Sequence, residues 1–205
     1  MSPAVGVVVS YLVGSIPFAY LAGRAHGVDL RRHGSGNLGA TNAMRVLGTP
    51  TGILVYAADT LKGFLPVFFL SDRTATDHPQ LWAIAYGVAA IAGHVRPIFL
   101  LGHGGGKGVA TAGGVFLALA WLPTVIAAAV FSIVVFALRY VSLGSLAAAI
   151  ALPIGIGISK GWTNAVFVVS ALVGVFVFWT HRANIKRLRQ RVEPRIGESR
   201  RPATP

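Results

Sequence analysis

VATAGGVFLALAWLPTVIAAAVFSIVVFAL, residues 109–138, carries no charged side chain and is broken only at Leu122-Pro123. A helix needs about twenty apolar residues to cross the hydrocarbon core of a bilayer. This stretch is long for one crossing and short for two. The choice sets the side of the membrane on which all later segments lie.

The rest of the chain decides it. Of 205 residues, 54% are hydrophobic and 12% charged, and the mean hydropathy is +0.67. Soluble domains carry about 25% charged residues, so the composition points to an integral membrane protein. Further apolar stretches run over 4–23, 49–70, 81–101, 143–159 and 163–180. Met1–Leu21 holds no Lys or Arg, so the first stretch lacks the basic start of a cleaved signal peptide and reads as a span. Basic residues collect on the cytoplasmic side. If the opening stretch splits into 109–122 and 124–138, then 24–48, 102–108, 139–142 and 181–205 share one side and hold 14 of the 18 Lys and Arg. The opposite loops, 71–80 and 160–162, hold only Arg73 and Lys160. Without the split, the eight basic residues of 181–205 face outward. The expectation is an all-α integral membrane protein of seven transmembrane helices, N-terminus outside, C-terminus cytoplasmic, with its Gly-rich loops on the cytoplasmic face. It forms one domain over 1–205, with 195–205 a frayed tail.

The formal charge is +12 and the pI about 11.3. Basic soluble proteins often bind nucleic acid. Here the basic residues lie between apolar runs, so the expected anionic partners are membrane lipids and small phosphates, and no nucleic acid. There are no cysteines, which excludes thiolate nucleophiles, disulfides and Cys-ligated metals. Outside the external loop the only acids are Asp29, Asp59, Glu193 and Glu198, and no H-E-x-x-H occurs. The chain is therefore expected to need no metal and no cofactor.

RRHGSGNLGATNAMRVLG, residues 31–48, spells G-x-G-x-x-G with Gly34, Gly36 and Gly39, and Asp59 follows Gly39 by twenty residues. A dinucleotide loop must follow a buried strand. Asp29–His33 is no apolar strand, and Asp59 lies within an apolar span. GHGGGKGVAT, residues 102–111, approaches a P-loop, but Leu101 and Gly108 stand where Gly and a hydroxyl are needed. The physical logic survives both failures. Glycines let backbone N–H groups converge on an anion, and a following helix adds its positive dipole end. Two such loops share one face, one with Arg45 and one with Lys107. That pattern predicts a phosphate site. The competing reading is helix packing, which also uses glycine in membranes.

Other clusters fall on the same side. His181 and Asn184 are an i, i+3 pair if the last span continues. Lys186, Arg187, Arg189 and Arg191 read as a juxtamembrane segment for anionic lipid. Asp59 and Lys62, three apart at membrane depth, either pair with each other or touch substrate. His94 is either a hydrogen-bonded structural histidine or part of the site. Ser142 can donate to an anion or cap a helix.

Gly34-Ser35-Gly36-Asn37-Leu38-Gly39-Ala40-Thr41-Asn42 with Arg45, then Gly105-Gly106-Lys107-Gly108-Val109-Ala110-Thr111, then His181-Arg182 with Asn184-Ile185 and Glu193, resemble three signature motifs. The family is the bacterial acyl-phosphate:glycerol-3-phosphate acyltransferases, and the resemblance covers nearly the whole chain. It departs at Leu101-Gly102-His103-Gly104, where the family often has an aromatic-lysine pair, and at Arg96. The resemblance implies transfer of a fatty acyl group from acyl phosphate to the sn-1 hydroxyl of glycerol 3-phosphate. The products would be lysophosphatidic acid and phosphate, in the first step of phospholipid synthesis at the bacterial inner membrane. It also implies a functional link to the enzyme that makes acyl phosphate. His181, Ser35 and Asn184 become the catalytic candidates. Gly34, Gly36, Asn37, Gly39, Thr41, Asn42, Arg45, Gly105, Gly106, Lys107, Gly108, Thr111 and Ser142 become candidates for binding phosphate. Asp59, Lys62, His94, Arg182 and Glu193 are further candidates. The other glycerophosphate acyltransferases use His and Asp five positions apart. Here the fifth positions after the histidines are Arg31, Leu38, Ala83, Phe99, Gly108 and Lys186. The alternative from another class is a small anion or lipid transporter, which broken helices aimed at an anion would suit.

Overall fold

Runs of Leu, Val, Ile, Phe and Ala in lipid must satisfy every backbone group internally, and the helix does so within one segment. The computed structural model describes residues 1–74 and 76–197. Those residues form ten α-helices: α1 (Pro3–Gly14), α2 (Phe18–Ala25), α3 (Ala40–Leu47), α4 (Thr49–Ser71), α5 (Pro79–Val95), α6 (Val109–Leu119), α7 (Trp121–Leu138), α8 (Val141–Lys160), α9 (Ala165–Thr180) and α10 (Arg182–Arg189). The chain divides into two compact units, 1–122 and 123–205.

Among the described residues, five segments are long and apolar enough to cross a membrane: Pro3–Ala25, Thr49–Ser71, Pro79–Leu100, Trp121–Leu138 and Val141–Lys160. A sixth arises if α9 and α10, bent by 58°, count as one span. The expected seven would also need α6, which has only 11 residues. The break expected at Leu122-Pro123 falls instead at Ala120, and α7 begins at Trp121. Pro123 sits in the first turn of α7, where a missing N–H leaves no intrahelical bond unmade. The first stretch is itself interrupted. α1 ends at Gly14 and α2 starts at Phe18, with Ser15-Ile16-Pro17 between them.

In the N-terminal unit α1 packs on α5, and α4 packs on α5 and α6. Glycines permit the close approaches. A Cβ on Gly14 would strike the Ala90 backbone, and one on Gly114 would strike the Thr60 carbonyl. Tyr86 and Phe116 are fully buried, and the Tyr86 hydroxyl meets Thr74 Oγ1 at 2.7 Å. In the C-terminal unit α8 packs along α9, and Gly174 faces the Ala149 carbonyl. Large apolar side chains face outward in both units, among them Leu54 (70% exposed) and Phe136 (91%). Asp59, Lys62, Ser145 and Ser170 are buried instead. Apolar outside with polar groups inside suits a lipid solvent.

Candidate active site

The first glycine loop is shaped by left-handed backbone. Gly34 and Gly36 have φ of +63° and +72°, a region that β-carbons disfavour. A Cβ on Gly34 would also collide with Asn42 Oδ1. Asn42, 2% exposed, braces the loop. Its Nδ2 donates to the carbonyls of Leu30 (3.2 Å) and His33 (3.1 Å), and its Oδ1 accepts from the Ser35 N–H at 2.8 Å. Leu30 and Leu38 anchor the loop in an apolar cluster with Ala19, Ala43 and Val55. Gly39 then opens α3, which carries Thr41 and an exposed Arg45.

The second loop meets the first. Asn37 Nδ2 donates to the Gly105 carbonyl at 3.3 Å. The Gly106 N–H donates to the His94 carbonyl at 3.3 Å. Gly108, at φ +85°, opens α6, with half-buried Lys107 before it. Thr111, fully buried in the first turn of α6, has no hydrogen-bond partner for its Oγ1. Beside the loops runs a buried chain of ionisable groups. Lys62 Nζ lies 2.8 Å from Asp59 Oδ1, and His94 Nδ1 lies 3.6 Å from the same oxygen. Lys62 Nζ also donates to the Ile16 carbonyl at 2.7 Å. Asp59, Lys62, His94 and Gly104–Gly106 line a small cleft together with Ser15–Phe18, Leu38 and Pro97.

The C-terminal unit holds the third motif. His181, 3% exposed, caps α9 at the bend, with Nδ1 2.8 Å from the Val177 carbonyl. A carbonyl only accepts, so Nδ1 carries the proton and Nε2 is the basic ring nitrogen. Asn184 Nδ2 donates to Glu193 Oε1 at 2.6 Å, and Arg187 Nε to Oε2 at 2.7 Å. Burial pushes the Glu193 carboxyl up, but hydrogen bonding from Asn184 and the nearby Ser142 and Arg187 outweighs it and holds the group below its ordinary range. Ser142 Oγ, though buried beside this cluster, meets no partner in full hydrogen-bonding geometry. Arg182 stacks over Trp179, with its guanidinium 4.7 Å from the ring centre. The start of the expected frayed tail is tied: Arg195 Nε donates to the Tyr140 hydroxyl at 3.0 Å, and Arg139 Nη2 to the Ile196 carbonyl at 2.7 Å. The remainder, 198–205, lies outside the described residues.

The profile of the family described as glycerol-3-phosphate acyltransferase matches residues 4–191. The chain belongs to the glycerol-3-phosphate acyltransferase family. A family protein of Geobacter sulfurreducens is 46% identical over 188 residues, covering 92% of this chain and 94% of that protein. One of Endomicrobium trichonymphae is 44% identical over 191 residues, covering 93% and 94%. Among solved structures, PlsY (YgiH), described as an integral membrane glycerol 3-phosphate acyltransferase, matches in its glycerol 3-phosphate form. That match has TM-score 0.88 and 36% identity, covering 95% of this chain and 96% of that one. Its lysophosphatidic acid form matches with TM-score 0.85 and 35% identity, covering 95% of each chain.

Within this acyltransferase fold, the N-terminal unit brings Asn37, Gly105, Gly106, Asp59, Lys62 and His94 together. Exposed Ser35 and Arg45 and half-buried Thr41 and Lys107 lie on the same two loops and the helices they open. The C-terminal unit brings Asn184, Glu193 and Ser142 together, with His181 at the start of the same short helix. Arg187, expected to serve a lipid-binding surface, is tied to Glu193. Sequence reasoning missed the Ser15–Phe18 break. The available signal was Pro17 inside an apolar run, which interrupts a helix and exposes carbonyls such as that of Ile16.

Proposed function

We propose that the chain transfers a fatty acyl group from acyl phosphate to the sn-1 hydroxyl of glycerol 3-phosphate. The products are lysophosphatidic acid and inorganic phosphate. The observation that carries this reading is the junction of two glycine loops through Asn37 and Gly105, with Lys107 in the second loop and Arg45 on the helix that the first opens. Loop N–H groups and helix N-termini favour phosphates, and Arg45 and Lys107 neutralise them. The glycerol 3-phosphate and lysophosphatidic acid forms of the similar PlsY structures support the same substrate and product.

Acyl phosphate is already activated, so the protein must mainly align the reactants and stabilise developing charge. The hydroxyl oxygen attacks the acyl carbonyl carbon. The bond from that carbon to the phosphate oxygen breaks, and phosphate leaves with the electron pair. His181, basic at Nε2, is assigned the hydroxyl proton. Ser35 and Asn37 are assigned hydrogen bonds to substrate. Asn184, already donating to Glu193, is assigned the positioning of the short helix that carries both. The reading includes seven crossings, a cytoplasmic site in the bacterial inner membrane, and a supply of acyl phosphate from a separate enzyme.

The test uses purified protein in detergent with glycerol 3-phosphate and palmitoyl phosphate. Lysophosphatidic acid and phosphate should appear in equal amounts. Uptake of glycerol 3-phosphate by proteoliposomes with no acylated product would favour a transporter instead.

A further inference from the structure

The Lys62–Asp59–His94 chain has no role in the reaction as drawn, yet it is a costly feature of the N-terminal unit. The Lys62 and Asp59 side chains are 3% and 2% exposed, on a helix apolar enough to span a membrane. Burying such ions forfeits several kcal/mol of hydration each, and apolar residues of similar volume would avoid that cost. The contacts lead from the α1–α2 break to the second glycine loop. At one end, Lys62 Nζ donates to the Ile16 carbonyl at 2.7 Å, just before Pro17, and lies 5.5 Å from the centre of the Phe18 ring. In the middle, Asp59 Oδ1 faces both Lys62 and His94 Nδ1. At the other end, the His94 backbone carbonyl accepts from the Gly106 N–H at 3.3 Å. A Cβ on Gly106 would strike His94 Nε2, so the imidazole lies directly against the loop.

We infer that His94, oriented by Asp59 and Lys62, is a positioning residue that holds the Gly104–Gly106 turn in the shape needed to bind a phosphate monoester. This rests on the phosphate-cradle reading above and assigns its support. Asp59 fixes which nitrogen faces the helix and which faces the glycines. Lys62 balances the aspartate charge and ties it to the first helix break. The ring then forms a wall behind Gly106, while its carbonyl fixes the Gly106 N–H. Without the ring the turn can relax toward the space it occupied. Phosphate binding weakens, whereas the acyl-transfer step of the bound substrates keeps its rate.

The experiment compares wild type, His94→Ala, His94→Gln and the charge-neutral pair Asp59→Asn with Lys62→Met. KM is measured separately for glycerol 3-phosphate and palmitoyl phosphate. The thermal midpoint of each protein is read with and without inorganic phosphate. His94→Ala should raise KM about tenfold or more for one of the two substrates, with kcat within about threefold of wild type. The substrate whose KM moves identifies the phosphate held there. Inorganic phosphate should stabilise wild type more than His94→Ala. His94→Gln, which keeps a polar side chain against Asp59 and Gly106, should recover most of the lost affinity. The charge-neutral pair should show the same KM rise, and carries the comparison if His94→Ala does not fold. Unchanged KM values, a fall in kcat alone, or failure of every variant to fold would overturn the inference. Wild-type turnover tests the reaction itself, independently of these ratios. The phosphate-dependent thermal shift tests the positioning role even without turnover.

Discussion

Lys107 differs from Arg189 in its surroundings. It is half-buried between two loop glycines at the start of α6, whereas Arg189 is exposed on α10. A charge-assisted hydrogen bond in a sheltered site contributes about 1.5–3 kcal/mol, so Lys107→Ala should lower kcat/KM about 10- to 100-fold. Arg45 is more exposed, and Arg45→Ala should cost about tenfold, while Arg189→Ala stays within about twofold. Equal losses at all three positions in matched detergent and salt would reduce the cradle to general electrostatics. Glu193 yields a prediction in pH. Its folded carboxyl titrates below the ordinary value of 4.5, so its contribution to stability is present above that value and fades as pH falls below it. Asp29, paired with Arg31 by a side-chain hydrogen bond, is lowered to about 2 and keeps its charge through most of this range. The thermal midpoint of wild type should therefore drop more steeply between about pH 5 and pH 3 than that of Glu193→Gln. Parallel curves would remove Glu193 as the holder of the C-terminal turn.

Among elements, the two glycine loops were legible because left-handed backbone and close approach admit few residues other than glycine. Gly34, Gly36 and Gly108 have positive φ, and Gly106 lies against an imidazole. The Asp59–Lys62 pair was legible because charge at membrane depth demands a partner. The His94 link to it was not, since it depends on how α5 crosses α4, which no spacing encodes. The Asn184–Glu193 clamp was hidden for a related reason: it closes only when the chain turns back after α10. Helix ends were misjudged where proline was taken as a stop. At Pro123 it occupies a first turn and starts α7 instead. Packing glycines can be told from open ones by substitution. Gly114 faces the Thr60 carbonyl, while Gly113 on the same helix has no neighbour within 4 Å. Gly114→Ala should lose about 1–3 kcal/mol by overpacking. Gly113→Ala should be neutral or mildly stabilising by thermal unfolding, and similar effects at both sites would contradict the packing described for α4 and α6.

For the whole molecule, topology and chemistry are separate claims. The absence of cysteine allows single thiols to report sidedness without background. Thiols at Thr76 and at Gln190 should label from opposite faces of intact membrane vesicles, as the uneven distribution of Lys and Arg predicts. Labelling of both from one face would contradict the seven-crossing arrangement. The chemistry is tested most directly by donor competition. Wild-type protein receives glycerol 3-phosphate with a sixteen-carbon acyl phosphate and an eighteen-carbon acyl-CoA at equal concentration, and the product chain is read by mass spectrometry. The account predicts lysophosphatidic acid carrying only the sixteen-carbon chain. Lysophosphatidic acid carrying the eighteen-carbon chain would contradict it.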